Sequence, residues 1–530
     1  MNETEKFLLE ISIGKEVDQF WAKYRRFCDQ IEIIEIEKLI EIMPILIKYL
    51  KEQNHSTYQF YEGIELASSK DQQYAEKLYE ELLTHKTDDF QNALGNIISG
   101  LFKIDPNSAK EKTKKLITDT DTAKIVQGIS SIAHFDFDKH PSKEFLNYLD
   151  NRFSELIKND ESVDILAAIL FVCRCKRNYL PKCDQHITAL LNHEHSQIKI
   201  HLIDILNFAL DINTEKEFYK TILTSLVSFD ISFIGYYRSF DYMLSRLVKN
   251  HLELVMEFLN EWITFSNENS KNIKLFQSVF NEIHDTSMPD FQEIITRWLN
   301  DDNVSFQIAT FNLMREMSYR NISSIELSTS LLKDYSFYDI EYITFKIIGF
   351  VYDRKLSRSM LYSILNSKYE DPEIIPIMKW VFVDYLIFNY YSTIDFLKEK
   401  NKKAPSKLKK VISQIIKEGE KLYLVYSDLD VLKEFEPSRE RLKYIDKIQN
   451  KKMQKAHQEN EKNDTSFLSQ ITSLHFRAGK KAFGKFGGKY SQEMEPKLFS
   501  QSEEMPRGEN IDPVGQAVLR LESQNFIRRQ

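Results

Sequence analysis

The chain has 530 residues, a formal net charge of −8 and 42% hydrophobic residues, with 36 Phe and 26 Tyr against only 14 Gly and 12 Pro. So little Gly and Pro excludes folds that turn every ten residues or so, such as sandwiches and barrels, and favours long helices joined by short polar turns. The acidic balance argues against wholesale nucleic-acid binding but leaves room for a local basic patch.

The opening Met1–Lys6 is acidic and lacks a basic segment before an apolar one, so a secretory signal is not expected. The most apolar runs, Ile165–Cys173 and Trp380–Tyr391, are too short to span a bilayer. Four Cys in so long a chain do not make a disulfide framework. These features together predict a soluble, cytoplasmic protein.

At the N-terminus, Phe7, Ile11, Val17, Trp21, Tyr24 and Cys28 recur at helical spacing, and so do Ile36, Ile40, Met43, Ile47 and Leu50. Pro44 is expected to kink or break the second of these helices. Beyond them, polar turns followed by amphipathic runs begin near Asp88, Asp121, Asp160, His195, Asp230, Asn267, Asp301, Asp334 and Asp371. Successive gaps are 33, 39, 35, 35, 37, 34, 33 and 37 residues, with room for one further helix in each. Asp or Asn before a run suits an N-cap, because its side chain accepts a bond from an orphan amide of the first turn. A helix pair of this size cannot bury its apolar face alone, so neighbouring pairs must stack.

The run Leu299–Val304 followed by Ala309 and Leu313, and more loosely His195–Ile203, resembles HEAT and armadillo helical repeats over roughly residues 80–395. The tetratricopeptide signature is missing. The resemblance implies a binding surface rather than chemistry, and it transfers no functional residues. The predicted fold is all-α: an α-solenoid of stacked antiparallel helix pairs with an extended C-terminal tail. Its expected parts are an N-terminal helical cap (1–80), HEAT-like repeats (81–397), a basic linker with charged helices (398–464) and a Gly-rich, basic-aromatic tail (465–530). Within the third part, Lys398–Lys410 reads as a basic linker or a helix–helix turn. The tail is expected to close with a short helix from Pro513 to about Gln524.

Cys173, Cys175, Cys183, His186, His193, His195 and His201 cluster within 29 residues. Cys183 and His186 stand one helical turn apart, as zinc ligands can. A site of Cys175, Cys183, His186 and His195 is one reading; a core-packed Cys173 with capping or solvent-facing histidines is the other. No other cofactor is expected.

Gly479–Lys485 matches most of a P-loop, but Phe486 stands where Ser or Thr must hold magnesium. The same stretch interleaves Arg477, Lys480, Lys481, Lys485 and Lys489 with Phe476, Phe483, Phe486 and Tyr490. Cations and rings in that order suit single-stranded nucleic acid, or a basic peptide docking in an acidic protein groove. A second candidate, Met505–Gly515, holds Pro506, Arg507, Ile511, Asp512, Pro513 and Val514 in the composition of a short docking motif or a plain surface turn. No hydrolase, zincin or dinucleotide motif is present, and His284–Asp285 is a lone pair.

The expected function is therefore a non-enzymatic scaffold or adaptor that binds a partner protein through the repeats and the tail. A nucleic-acid-binding repeat protein using 398–410 and 477–489 is the alternative. The Ile-, Lys- and Asn-rich composition fits an AT-rich bacterial gene, where an accessory role beside a separately encoded effector, as in phage defence, is one use of such a scaffold.

Overall fold

The computed structural model describes residues 19–85, 88–159, 161–320, 322–427 and 506–529, with Phe7, Ile11 and parts of 438–490. The fold is helical, and it divides into two compact units, Met1–Ile322 and Ser323–Gln530.

The first unit runs α1 Phe20–Asp29, α2 Ile36–Glu52, α3 Tyr58–Ser68, α4 Gln72–Thr84, α5 Asp88–Phe102 and α6 Pro106–Ile117. It continues with α7 Thr122–Ser131, α8 Lys143–Lys158, α9 Val163–Lys176, α10 Cys183–Leu190, α11 Ser196–Phe208 and α12 Lys216–Ser225. It ends with α13 Ile234–Phe265, α14 Asn267–Lys271, α15 Gln277–Thr286, α16 Met288–Asn300 and α17 Val304–Tyr319. The second unit holds α18 Thr329–Asp334, α19 Phe337–Phe350, α20 Arg354–Lys368, α21 Ile374–Trp380, which continues as a π-helical stretch Val381–Ile387, α22 Ser392–Lys403 and α23 Ser406–Ser427. After a three-stranded antiparallel sheet (β1 Thr472–Arg477, β2 Lys481–Phe486, β3 Lys489–Tyr490) come α24 Arg507–Ile511 and α25 Pro513–Gln524.

The nine predicted run starts each lie at, or within four residues before, the first residue of a helix, from Asp88 and α5 to Asp371 and α21. The capping logic is visible: Asp121 accepts from Ala123 N (3.0 Å), His195 Nδ1 from Gln197 N (3.3 Å) and Asn303 from Ser305 N (3.0 Å). Ser336 and Asp339 close a full capping box at α19. Pro44 does not end its helix; α2 runs through it, carried by Met43, Leu46 and Ile47, which are wholly buried. Tertiary burial outweighs one lost backbone bond there. Lys398–Lys410 spans the end of α22, the Ala404–Pro405 turn and the start of α23.

Alternate helices of the first unit pack on one another: α5 lies between α3 and α7, and α9 between α7 and α11, while α4 and α6 lie against α5 and α7. α13 is interrupted at His251, where the backbone is non-helical, and it folds back as a hairpin. Phe240 and Phe258, about 27 Å apart along a continuous helix, have ring centroids 5.3 Å apart. Trp262 Nε1 donates to the Tyr237 hydroxyl across the same hairpin.

Neighbouring pairs are joined by hydrogen bonds about one repeat apart in sequence. Gln127 bonds Asn92, Gln197 bonds Asp164, Trp298 bonds Asn260, and Leu327 N bonds Ser363, at separations of 33 to 38 residues. Buried charges take part by capping the helices of adjacent pairs. Asp241 accepts from Ser278 N (2.9 Å) and Val279 N (3.0 Å) at the start of α15, whose own N-cap residue, Phe276, has no side-chain acceptor. Asp150 accepts from Lys182 N and meets His186 Nε2 at 3.0 Å. The Lys199 ammonium donates to Leu191 O (2.8 Å) and Ser225 O (2.6 Å), where α10 and α12 end. Carboxylates at helix starts and an ammonium at helix ends agree with the helix dipole.

Candidate functional site

The site that stands out is formed by the chain's C-terminus on α19 of the second unit. α19 is apolar nearly all round, yet it buries two charges, Glu341 and Lys346. Such groups are tolerated only with partners. The partners come from far along the chain. Lys346 Nζ donates to Gln524 O at 2.5 Å, and Arg529 Nε approaches Glu341 Oε2 at 3.7 Å. Arg528 pairs with Asp339 and lies over the Tyr342 ring, 4.7 Å from its centroid. Phe526 stacks on Phe345 with centroids 4.3 Å apart. Gln524 Nε2 donates to Gly349 O (2.9 Å) and to the Tyr352 hydroxyl (3.1 Å). Gly349 is required by the approach: a Cβ there would stand 2.8 Å from Gln524 N.

α24 is anchored separately. Gly508 N donates to Asn389 Oδ1 (2.9 Å), and Asn389 donates to Tyr385 O just after the π-helical stretch. Burial pushes the Tyr385 phenol up to about 12.

Within the predicted docking motif, Arg507 lies over the Tyr423 ring at 4.1 Å, and Asp512 caps α25 by accepting from Gly515 N. Pro513 opens that helix and Pro506 is half-buried. Ile511 and Val514 are not inserted anywhere; they are 60% and 71% exposed. Among the described residues 506–529 the tail closes, as expected, with a helix over Pro513–Gln524, and this helix is docked.

Of the basic-aromatic set, Arg477 lies in β1, Lys481, Phe483, Lys485 and Phe486 in β2, and Lys489 and Tyr490 in β3; Lys480 lies outside the described residues. The register sets Arg477 opposite Lys481, His475 opposite Phe483, and Lys485 between Ser473 and Tyr490. Lys481–Lys485 of the P-loop-like stretch lies in a strand paired antiparallel with β1, and Gly479 lies outside the described residues.

The thiol–imidazole residues are not brought together. His186 is engaged by Asp150, the Cys183 thiol donates to Cys173 O, Cys175 is exposed, and His195 caps α11. The Cys173 thiol is held well above its ordinary value, first by its hydrogen bond with Cys183 and then by burial, so the thiolate a metal needs is disfavoured. Among the described residues no group of three His, Cys, Asp or Glu is placed to hold a metal ion. His284 bonds its neighbour Asp285, which also takes Arg320. No described helix is long and apolar enough to cross a membrane.

The α19 residues and the terminal Gln524, Phe526 and Arg528 escaped the sequence reading. The available signal was a glycine and two charges inside an otherwise apolar helical run. No protein-family model and no curated protein matches the chain.

Proposed function

We propose that the protein is a non-catalytic scaffold whose helix pairs stack as a HEAT-like solenoid and whose C-terminal helix is presented to a partner protein. The observation that carries this reading is the orientation of α25. Its docked side holds Gln516, Leu519, Arg520 and the buried Ser523, while Val514, Val518 and Leu521 face solvent together with Ile511 just before it. These positions recur at helical spacing and form a stripe of the kind that lies in an apolar groove of another protein. A helix that merely completed a core would turn that stripe inward. The one-repeat spacing of the bonds between pairs supports the stacking.

The test uses the full chain with Val514→Asp and Leu521→Asp, purified beside wild type after chemical cross-linking in its native cells. The expected result is an unchanged melting temperature and loss of the cross-linked protein. The same partner retained at the same level would refute the reading. A nucleic-acid cargo, digestible by nuclease, would favour the alternative, for which the pairing of Lys485 with Tyr490 and the gathering of Arg477, Lys481 and Lys485 in one small sheet speak.

A further inference from the structure

We infer that the face of α19 beneath residues 524–529 is a peptide-recognition site, held closed by the chain's own C-terminus and open to a competing segment of the same chemistry. This concerns the surface under the tail, not the outward stripe of α25, and stands independently of it.

The geometry is that of a bound linear segment. From Gln524, the last residue of α25, to Arg528 the burial of the side chains alternates. Gln524, Phe526 and Arg528 face α19, while Asn525 is exposed and Ile527 is 82% exposed. Each inward side chain meets a matched receptor: the Gly349 carbonyl for an amide, the Phe345 ring for an aromatic, and Asp339 with Tyr342 for a guanidinium. The receptor groups lie on one helix at positions 339, 342, 345, 346 and 349, the spacing of a single face. The Lys346 ammonium reads a main-chain carbonyl, which any peptide offers.

These contacts are made mostly by polar groups and one ring pair, and residues 524–529 contribute no large wholly buried apolar side chain to the core. They join residues 172 to 189 apart, whereas the pairs are joined at about one repeat. The fitting partner is therefore a peptide carrying an amide, an aromatic and a guanidinium at alternate positions after a helical turn.

The probe is a fluorescent synthetic peptide of residues 506–530, and the receptor is the full chain carrying Phe526→Ala and Arg528→Glu. The peptide is expected to bind this variant one to one and at least tenfold more tightly than it binds wild type, where the site is filled in cis. Adding Lys346→Ala and Phe345→Ala is expected to remove that binding. A second measurement needs no variant: saturating unlabelled peptide should accelerate amide exchange in wild-type residues 514–524 by displacing them. Equal binding to wild type and the tail variant, or unchanged exchange at saturating peptide, would overturn the proposal.

Discussion

Asp241 gives the sharpest test of how the pairs are held together. It is 6% exposed, and each carboxylate oxygen accepts one amide of the first turn of α15, from a residue 37 or 38 positions further on. Phe276, at the N-cap position, is wholly buried and offers no acceptor of its own. Asp241→Ala therefore removes an N-cap and leaves the buried Val279 amide without a partner. N-cap loss costs about 0.5–2 kcal/mol and an unsatisfied buried donor about 1–3 kcal/mol. Part of this is offset, because the carboxylate no longer has to be desolvated, which leaves about 2–3 kcal/mol. Asp241→Asn keeps one acceptor oxygen but points an NH2 at the other amide, so it should cost about half as much. A chain of two compact units need not unfold in one step, so the loss is best read locally, by native-state amide exchange over 277–286. Protection there should fall roughly thirty- to 150-fold in the Ala variant. Protection within about threefold of wild type would show that the cross-pair cap does not hold α15.

Three further outcomes are expected. Gly349→Val should undock the C-terminus, seen as faster exchange at 516–524 with α1–α12 unchanged, because a branched side chain cannot share the space of Gln524 N. Asp150→Ala should lower protection across α10 by about 2 kcal/mol, whereas a chelator should leave it unaltered; one tightly bound zinc per chain would contradict this. His201 is held below its ordinary 6.5 by burial, against a rise from Asp204 and together with the lowering effect of Arg174. Its stabilising contribution is thus present above 6.5 and lost as pH falls toward the folded value, at a slope of at most about 1.4 kcal/mol per pH unit. His201→Gln should flatten the melting-temperature difference between pH 7.5 and 5.5, and an unchanged difference would assign the slope elsewhere.

Several helix starts were legible because they are written locally: a capping side chain, then apolar positions at helical spacing, as at Asp121 with Ala123 and Asn303 with Ser305. The hairpin inside α13 was not legible, since His251 carries no Gly or Pro signal and the fold-back is fixed by Phe240 meeting Phe258 and Tyr237 meeting Trp262 across it. Cross-pair caps were invisible for a similar reason. Asp241 and Lys199 look like surface charges until the helix ends they serve, a repeat or less away, are in place. Cys183 and His186 carried the spacing of a ligand pair, but spacing says nothing of Asp150, which lies 36 residues from His186 and engages it instead. A closing helix from Pro513 to about Gln524 was expected, and the structure places a helix over the same residues. What it docks against could not be read, because the complement lies on α19.

That asymmetry bears on how the molecule can be regulated. A contact between neighbouring pairs closes a loop of about one repeat, whereas the Arg528–Asp339 contact closes one of 189 residues. Closure entropy rises only slowly with length, so distance alone does not make the C-terminal contact weak. Its weakness lies in its composition: part-exposed polar groups and one stacked ring pair, set against neighbouring pairs that bury Leu, Ile and Phe side chains completely. Regions with few buried apolar contacts open first. Residues 513–529 can therefore leave α19 while the rest stays packed, and on leaving they take the Gln524 carbonyl from Lys346 and the Arg529 guanidinium from Glu341. A segment that detaches without unfolding its neighbours, and that exposes a matched set of receptor groups when it does, has the physical requirements of a switchable docking element.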